Sequence, residues 1–275
     1  MTLSTIRNNP AKQKKVKTKK QKAIAATCAV AFWLLVWHVV SLCVGSELVL
    51  VSPVKVVQTL FTVISDPDFL KTVWYSAARI LGGFFTALTL GTVLGWVASR
   101  FWVVETLLRP ITAVIKATPV ASFIILVLLW FSGKNLSVII SMLMVFPVIY
   151  MNVLEGIRSA DEKLLEMAQV FRLSVGKKLL YIYLPAVAPF FVSACSVSLG
   201  LCWKSGIAAE VIGTPDGSIG AVFYQAKIFL QTSELLAWTV VVVAVSVAFE
   251  KLFMFLLRLV LKKLKMEDVL NGKRA

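Results

Sequence analysis

Polar and apolar residues do not alternate along this chain; the apolar ones gather into six long runs. These occupy residues 23–44, 76–98, 119–131, 136–154, 186–203 and 235–259. A helix needs about 20 residues to cross a hydrocarbon layer of roughly 30 Å, and apolar runs of this kind read as transmembrane helices. The third is short when counted from Pro119 and borrows from residues 111–118, where Lys116 can snorkel toward the headgroups. The pattern predicts an all-α, polytopic membrane helical bundle of about six transmembrane helices. It sets a transmembrane domain over 23–259 between basic tails at 1–22 and 260–275.

Two segments between the runs are too long for simple turns. Residues 155–185 have helix-type content, with Glu155, Asp161, Glu162 and Glu166 early and Lys177 and Lys178 late. Acids near a helix start oppose the positive end of its dipole, so a helix is expected over about 160–173. A turn at 174–176 then leads to a second helix that Pro185 ends. A helix lying flat on lipid headgroups would carry a basic polar face; this one is acidic, so something else docks on it. Residues 204–234 hold an apolar stretch, 207–212, around the single acid Glu210, followed by a Gly213-Thr214-Pro215-Asp216-Gly217 turn. That stretch is expected to fold back into protein. A buried acid needs a partner; Lys204 is the nearest basic residue in sequence, and a partner on another span fits equally well.

Composition agrees with a lipid-facing exterior: 59% of residues are hydrophobic and 16% charged, leaving too little polar surface for a soluble fold. The net charge of +15 gathers at the ends, in the lysines between Lys12 and Lys22 and in Lys262, Lys263, Lys265, Lys273 and Arg274. Such clusters beside apolar spans suit contact with anionic membrane lipid, and no nucleic-acid reading motif accompanies them. If the amino terminus is inside, the outer segments hold only Lys55, Lys71, Arg79, Lys134, Lys204 and Lys227, with Lys116 and Lys251 in spans. Every other Lys and Arg is then inside, which predicts two cytoplasmic termini. The 23–44 run is too long for a signal-peptide core and lacks a small-residue cleavage site, so it is expected to remain as the first span.

Candidate chemistry is sparse. Cys28, Cys43, Cys195 and Cys202 form no metal-ligand spacing and are expected to be packed apolar side chains; no metal is predicted. His38 is the only histidine, and no nucleophile, base and orienting group assemble. No GxxxxGK[ST] phosphate loop occurs, so ATP hydrolysis is not expected on this chain. Gly83, Ala87, Gly91 and Gly95 recur every fourth residue, a small-residue row that lets another helix approach closely.

The segment 155–185 resembles the "EAA" loop of ABC importer permeases. That pattern has Glu-Ala-Ala, a Gly four residues later, and Leu-Pro about twenty residues from the Glu. Glu166, Ala168, Leu184 and Pro185 are in register; Met167 replaces the first Ala and Arg172 the usual Gly, with Gly176 as an alternative source of flexibility. Over about residues 50–258 the chain is similar to the nitrate/sulfonate/taurine branch. Arg109-Pro110, Thr118-Pro119, Leu129-Trp130-Phe131, Phe146-Pro147, Ala209-Glu210, Gly217-Ser218-Ile219-Gly220 and Ala237-Trp238 carry the likeness in order.

The resemblance implies a type I importer permease in the bacterial inner membrane. Two copies, a homodimer, would form the pathway. Glu166, Met167, Ala168, Arg172, Gly176, Leu184 and Pro185 would couple it to a cytoplasmic ATPase. ATP and magnesium would bind that partner and no cofactor this chain, while an extracytoplasmic binding protein delivers the solute. The branch implies a small anion such as a sulfonate, taurine or nitrate, with a thiamine-precursor pyrimidine as the alternative. From the apolar stretch itself, Ala209, Glu210 and Lys204 are expected either to line or gate the outer end or to form a lid that packs on one subunit. A self-contained secondary transporter is the competing reading, but such proteins hold ionisable coupling residues within spans. Here Arg79, Lys116, Glu250 and Lys251 all read as lying near span ends.

Overall fold

The computed structural model describes residues 19–264, and every regular element among them is helical. Residues 1–18 and 265–275, most of the two basic tails, lie outside the described residues. Helix nevertheless enters both expected tails: α1 is Lys19–Val44 and α11 is Thr232–Lys263. By its contacts the chain divides into two units, Met1–Lys55 and Val56–Ala275.

In the first unit, α1 is apolar around its circumference, with Phe32, Trp33 and Leu35 all exposed. A helix without a polar face suits lipid. Gly45, at φ 63°, ends it in the left-handed conformation that glycine adopts without steric penalty. The Gly45 N–H donates to the Ser41 carbonyl at 3.2 Å, and the Ser41 hydroxyl to that of Leu50 at 3.1 Å. Cys28 and Cys43 are exposed here, contrary to the packed role expected of all four cysteines, because α1 buries almost none of its surface. Cys195 and Cys202 are buried. The helix α2 (Pro53–Ile64) crosses the boundary between the units.

The second unit is built on three long helices, α3 (Phe69–Arg100), α6 (Gly133–Arg158) and α9 (Leu184–Gly213). Ile80, Phe84, Val145, Ile149, Leu199 and Cys202 interlock there and are buried. Gly83, Ala87, Gly91 and Gly95 turn their row toward α6. A Cβ added to Gly91 would meet the Ile149 Cβ at 3.0 Å, and one on Gly95 the Tyr150 carbonyl oxygen at 3.0 Å. Missing side chains set this close approach. The short helices α4 (Trp102–Ala117), α5 (Val120–Leu128) and α10 (Ile219–Ile228) pack around the three, and α11 lies along α9 and α10.

Three sequence expectations change. The third span is not a straight helix borrowing from residues 111–118: α4 and α5 meet at 106°. Thr118 and Pro119 are extended there, because proline disfavours a helical residue before it and supplies no N–H. Five helices are long and apolar enough to cross a membrane, six if the bent pair counts as one. Pro185 does not end a helix either. The chain is helical from Val175 through Gly213, by way of α8 (Val175–Lys178) and a π-helical turn at Leu179–Tyr183. In that turn the Leu184 N–H reaches back five residues to the Leu179 carbonyl, which seats Pro185 in the first turn of α9, where a missing donor is tolerated. Finally, 207–212 is no separate fold-back segment but the last turns of α9. Nothing between Trp203 and Gly213 breaks helix; the break comes at Thr214, left-handed at φ 40°, followed by Pro215.

Candidate functional site

The expected site residues separate into two groups at opposite ends of α9. The first is built on α7 (Glu162–Val170). Asp161 caps it, its carboxylate accepting from the Lys163 N–H at 2.9 Å, and Glu162 in the first turn favours the dipole. Only one α7 residue, Ala168, is fully buried; it packs with Ala160 and Ile182, and Leu165, Leu173, Tyr183 and Ala186 surround them. The small side chain lets α7 lie directly on the segment that becomes α9. The opposite face is open: Glu166 and Met167 are exposed, and Val170 and Phe171 are 79% and 71% exposed. A patch of large apolar side chains on a polar loop is the mark of a binding surface.

Arg172 closes α7. Its φ is 51°, in the left-handed region, and two backbone bonds run across the turn. The Leu173 N–H donates to Ala168 O at 2.9 Å and the Arg172 N–H to Gln169 O at 3.0 Å, the pair that defines a Schellman cap. The family's usual glycine at this position suits that geometry. Gly176 is not the source of turning: it lies in the short helix α8 and has no positive φ. Leu184 and Pro185, half-buried, start α9.

The second group surrounds Glu210, three residues before the end of α9 and fully buried. Its Oε2 accepts from the Ser76 hydroxyl on α3 at 2.6 Å and from the Gly220 N–H on α10 at 3.3 Å. Ser76 Oγ in turn accepts from the Ile219 N–H at 2.9 Å. One carboxylate therefore joins α3, α9 and the first turn of α10, which Ser218 caps by accepting from the Ala221 N–H at 3.0 Å. The Arg79 guanidinium stacks over Tyr75 at 4.2 Å, while Glu210 Oε1, the Ser137 hydroxyl and one Arg79 guanidinium nitrogen are buried with no hydrogen-bond partner among the described residues. Lys204 is exposed and takes no part; of the two alternatives, the partner on another span is the one found, Ser76 of α3, together with the Gly220 N–H. Lys204 and Glu210 are six residues apart, which on a continuous helix sets their side chains on different faces. Ala209 is buried among Ile115, Ile124, Leu136 and Ile140. Ser76 was not legible as a site residue, because its role depends on a carboxylate 134 positions away.

Residues 87–266 match the family model of binding-protein-dependent transport system inner membrane components. Among curated relatives, the chain is 29% identical over 216 residues to a Bacillus subtilis protein named as an aliphatic sulfonates transport permease, SsuC, covering 78% of each chain. To the Escherichia coli taurine transport system permease protein TauC it is 27% identical over 220 residues, 78% of this chain and 80% of the relative. It is 25% identical over 214 residues to the nitrate import permease protein NrtB of Synechocystis, 74% of this chain and 76% of the relative.

Proposed function

This chain belongs to the binding-protein-dependent transport inner membrane components, multi-pass proteins of the bacterial plasma membrane, and we propose that it is the solute pathway of an ABC importer for a small anion. In this reading both termini and the 155–185 loop face the cytoplasm, where α7 docks on a separate ATPase that binds ATP and magnesium. A second copy of the chain completes the pathway, and a binding protein delivers solute from outside. The observation that carries the docking role is the exposed apolar face of Met167, Val170 and Phe171 beside Glu166.

The route of coupling follows from α9. Ala168 rests on the segment that starts this helix, and Glu210 stands at its far end. Thirty residues of helix make a rod about 45 Å long. A push delivered to α7 therefore moves one end of the rod whose other end holds α3 and α10 together through Glu210. Ser76, Glu210 and Gly220 are the contacts whose exchange would open or close the outer side, and ATP shifts that balance only by binding the two states unequally.

The anionic cargo is supported by the relatives, which are named for sulfonates, taurine and nitrate, groups that share exposed, negatively charged oxygens. In the importer reconstituted with its ATPase and binding protein, ATP-driven uptake of taurine, methanesulfonate or nitrate is expected. No uptake of any of them would reject the anion reading. The docking reading is tested by Phe171→Asp combined with Glu166→Lys. The doubly substituted permease should insert and melt normally but no longer co-purify with the ATPase. Undiminished co-purification with normal ATP hydrolysis would reject it.

A further inference from the structure

The break between α4 and α5 carries a feature that the coupling mechanism does not use. Arg109, Thr112 and Lys116 recur at helical spacing on one face of α4, and with Ala113, Ala117 and Met151 of α6 they line an open cavity of about 400 Å³. Arg109 and Lys116 are exposed within the isolated chain. Among the described residues neither has a carboxylate within ion-pair distance, and the acid nearest in sequence on α4, Glu105, is taken by Arg158. The Lys116 ammonium reaches only the Met151 sulfur, at 3.5 Å. A thioether is a weak acceptor and leaves the charge uncompensated.

Depth makes this arrangement consequential. Met151 lies seven residues before Arg158 at the end of α6, about 10 Å of helix rise. The neighbouring Ile115 belongs to the apolar cluster that includes Leu136, Ile140 and Met144 of α6. Lys116 thus stands about two turns in from the end of α6, three residues inside the 136–154 apolar run. Two residues on, the backbone of Thr118 and Pro119 is extended. Irregular backbone at membrane depth is stable where protein or a water-filled cavity covers it, and ionisable side chains at that depth mark ion and solute pathways. The open side of this cavity is accounted for if it faces the pathway.

We infer that Arg109 and Lys116 form a cationic subsite for an oxyanion, a sulfonate-, nitrate- or carboxylate-type group, at the broken helix along the translocation pathway. The inference rests on the anion-importer reading and gives it a location. Guanidinium offers a planar fork that matches two oxygens, and ammonium a compact point charge. Together they replace part of the hydration that an anion loses on leaving its binding protein. Thr112 keeps its hydroxyl on the Leu108 and Arg109 carbonyls, each at 3.0 Å, so charge rather than hydroxyl donation does the recognition.

A phosphate of an anionic lipid has the same chemistry, and the test separates the two sources. The complete importer, with ATPase and binding protein, is reconstituted in pure phosphatidylcholine and in phosphatidylcholine with phosphatidylglycerol. Uptake of labelled taurine and nitrate is followed alongside ATP hydrolysis stimulated by the binding protein. Lys116→Gln is expected to lower uptake about tenfold, the size of one lost charge-assisted hydrogen bond. Stimulated hydrolysis should persist. Arg109→Gln should act in the same direction, Lys116→Arg should retain uptake, and the pattern should be the same in both lipids. Unchanged uptake in Lys116→Gln and Arg109→Gln would overturn the subsite. So would a loss confined to phosphatidylglycerol liposomes, which assigns the cations to a lipid headgroup. A loss of uptake and hydrolysis together that Lys116→Arg does not restore makes the residue structural and also overturns it. Unsubstituted importer that moves neither solute would instead sink the anion reading, and the subsite with it.

Discussion

The two ends of α9 solve opposite problems. At the α7 end, the helix buries a single alanine, large apolar side chains stay exposed, and an arginine sits in a backbone conformation that glycine adopts more readily. At the Glu210 end, a fully buried acid is held by a side-chain hydroxyl and a backbone N–H from two other helices. The first end presents apolar side chains with no partner; at the second, one carboxylate oxygen ties three helices together. A helix that joins a surface built to be gripped with a contact built to hold is suited to carry force from one to the other. The difference also says where substitutions should damage the fold and where they should damage only association.

The sharpest way to break the comparison is at the Glu210 end. Glu210→Ala removes the acceptor of both Ser76 Oγ and the Gly220 N–H, and each buried donor left unpaired costs about 1–3 kcal/mol. A loss of about 3 kcal/mol is expected, read as a clearly lower melting temperature in detergent, with Glu210→Gln losing less. A melting temperature unchanged in Glu210→Ala would mean that the carboxylate does not hold the three helices together.

The middle of the bundle comes next. Gly91→Leu places a side chain where even a Cβ would meet Ile149 at 3.0 Å, and overpacking of this kind costs about 2 kcal/mol. Thermal unfolding in detergent measures it; an unchanged profile would show that α3 does not meet α6 along this row.

The smallest effect has the opposite sign and belongs to the α7 end. A non-glycine residue in the left-handed region is disfavoured by about 1 kcal/mol, so Arg172→Gly should stabilise the isolated permease by about that amount. Arg172→Val, a β-branched residue with φ > 0, should destabilise it. If Gly and Val melt alike, the Schellman turn is not what ends α7.

Much of this was open to reading before any fold was known. Apolar run length marked five of the spans, because the hydrocarbon thickness sets a minimum that few non-membrane segments reach; the remaining run is the bent α4–α5 pair. The four-residue spacing of Gly83, Ala87, Gly91 and Gly95 marked a close helix contact, since that spacing alone aligns side chains on one helix face. The motif around Glu166 marked the loop whose exposed face the structure describes. Span boundaries fared less well: α3 and α11 extend beyond their apolar cores on both sides, because polar and charged residues such as Lys71 and Arg100 continue a helix once apolar packing has fixed it.

The amino-acid sequence by itself determined that this chain is a helical membrane protein with five or six apolar spans and which loop stands apart, since each of these follows from local periodicity and burial energy. Only the tertiary structure decided that Glu210 is held by Ser76 and Gly220 rather than by Lys204, because a long-range hydrogen bond leaves no mark on neighbouring residues. The tertiary structure alone also set the 106° angle at Thr118–Pro119 and brought Lys116 beside Met151. Proline announces a break, but the direction the chain takes after it is chosen by what the next helix packs against, here Leu136 and Ile140 of α6.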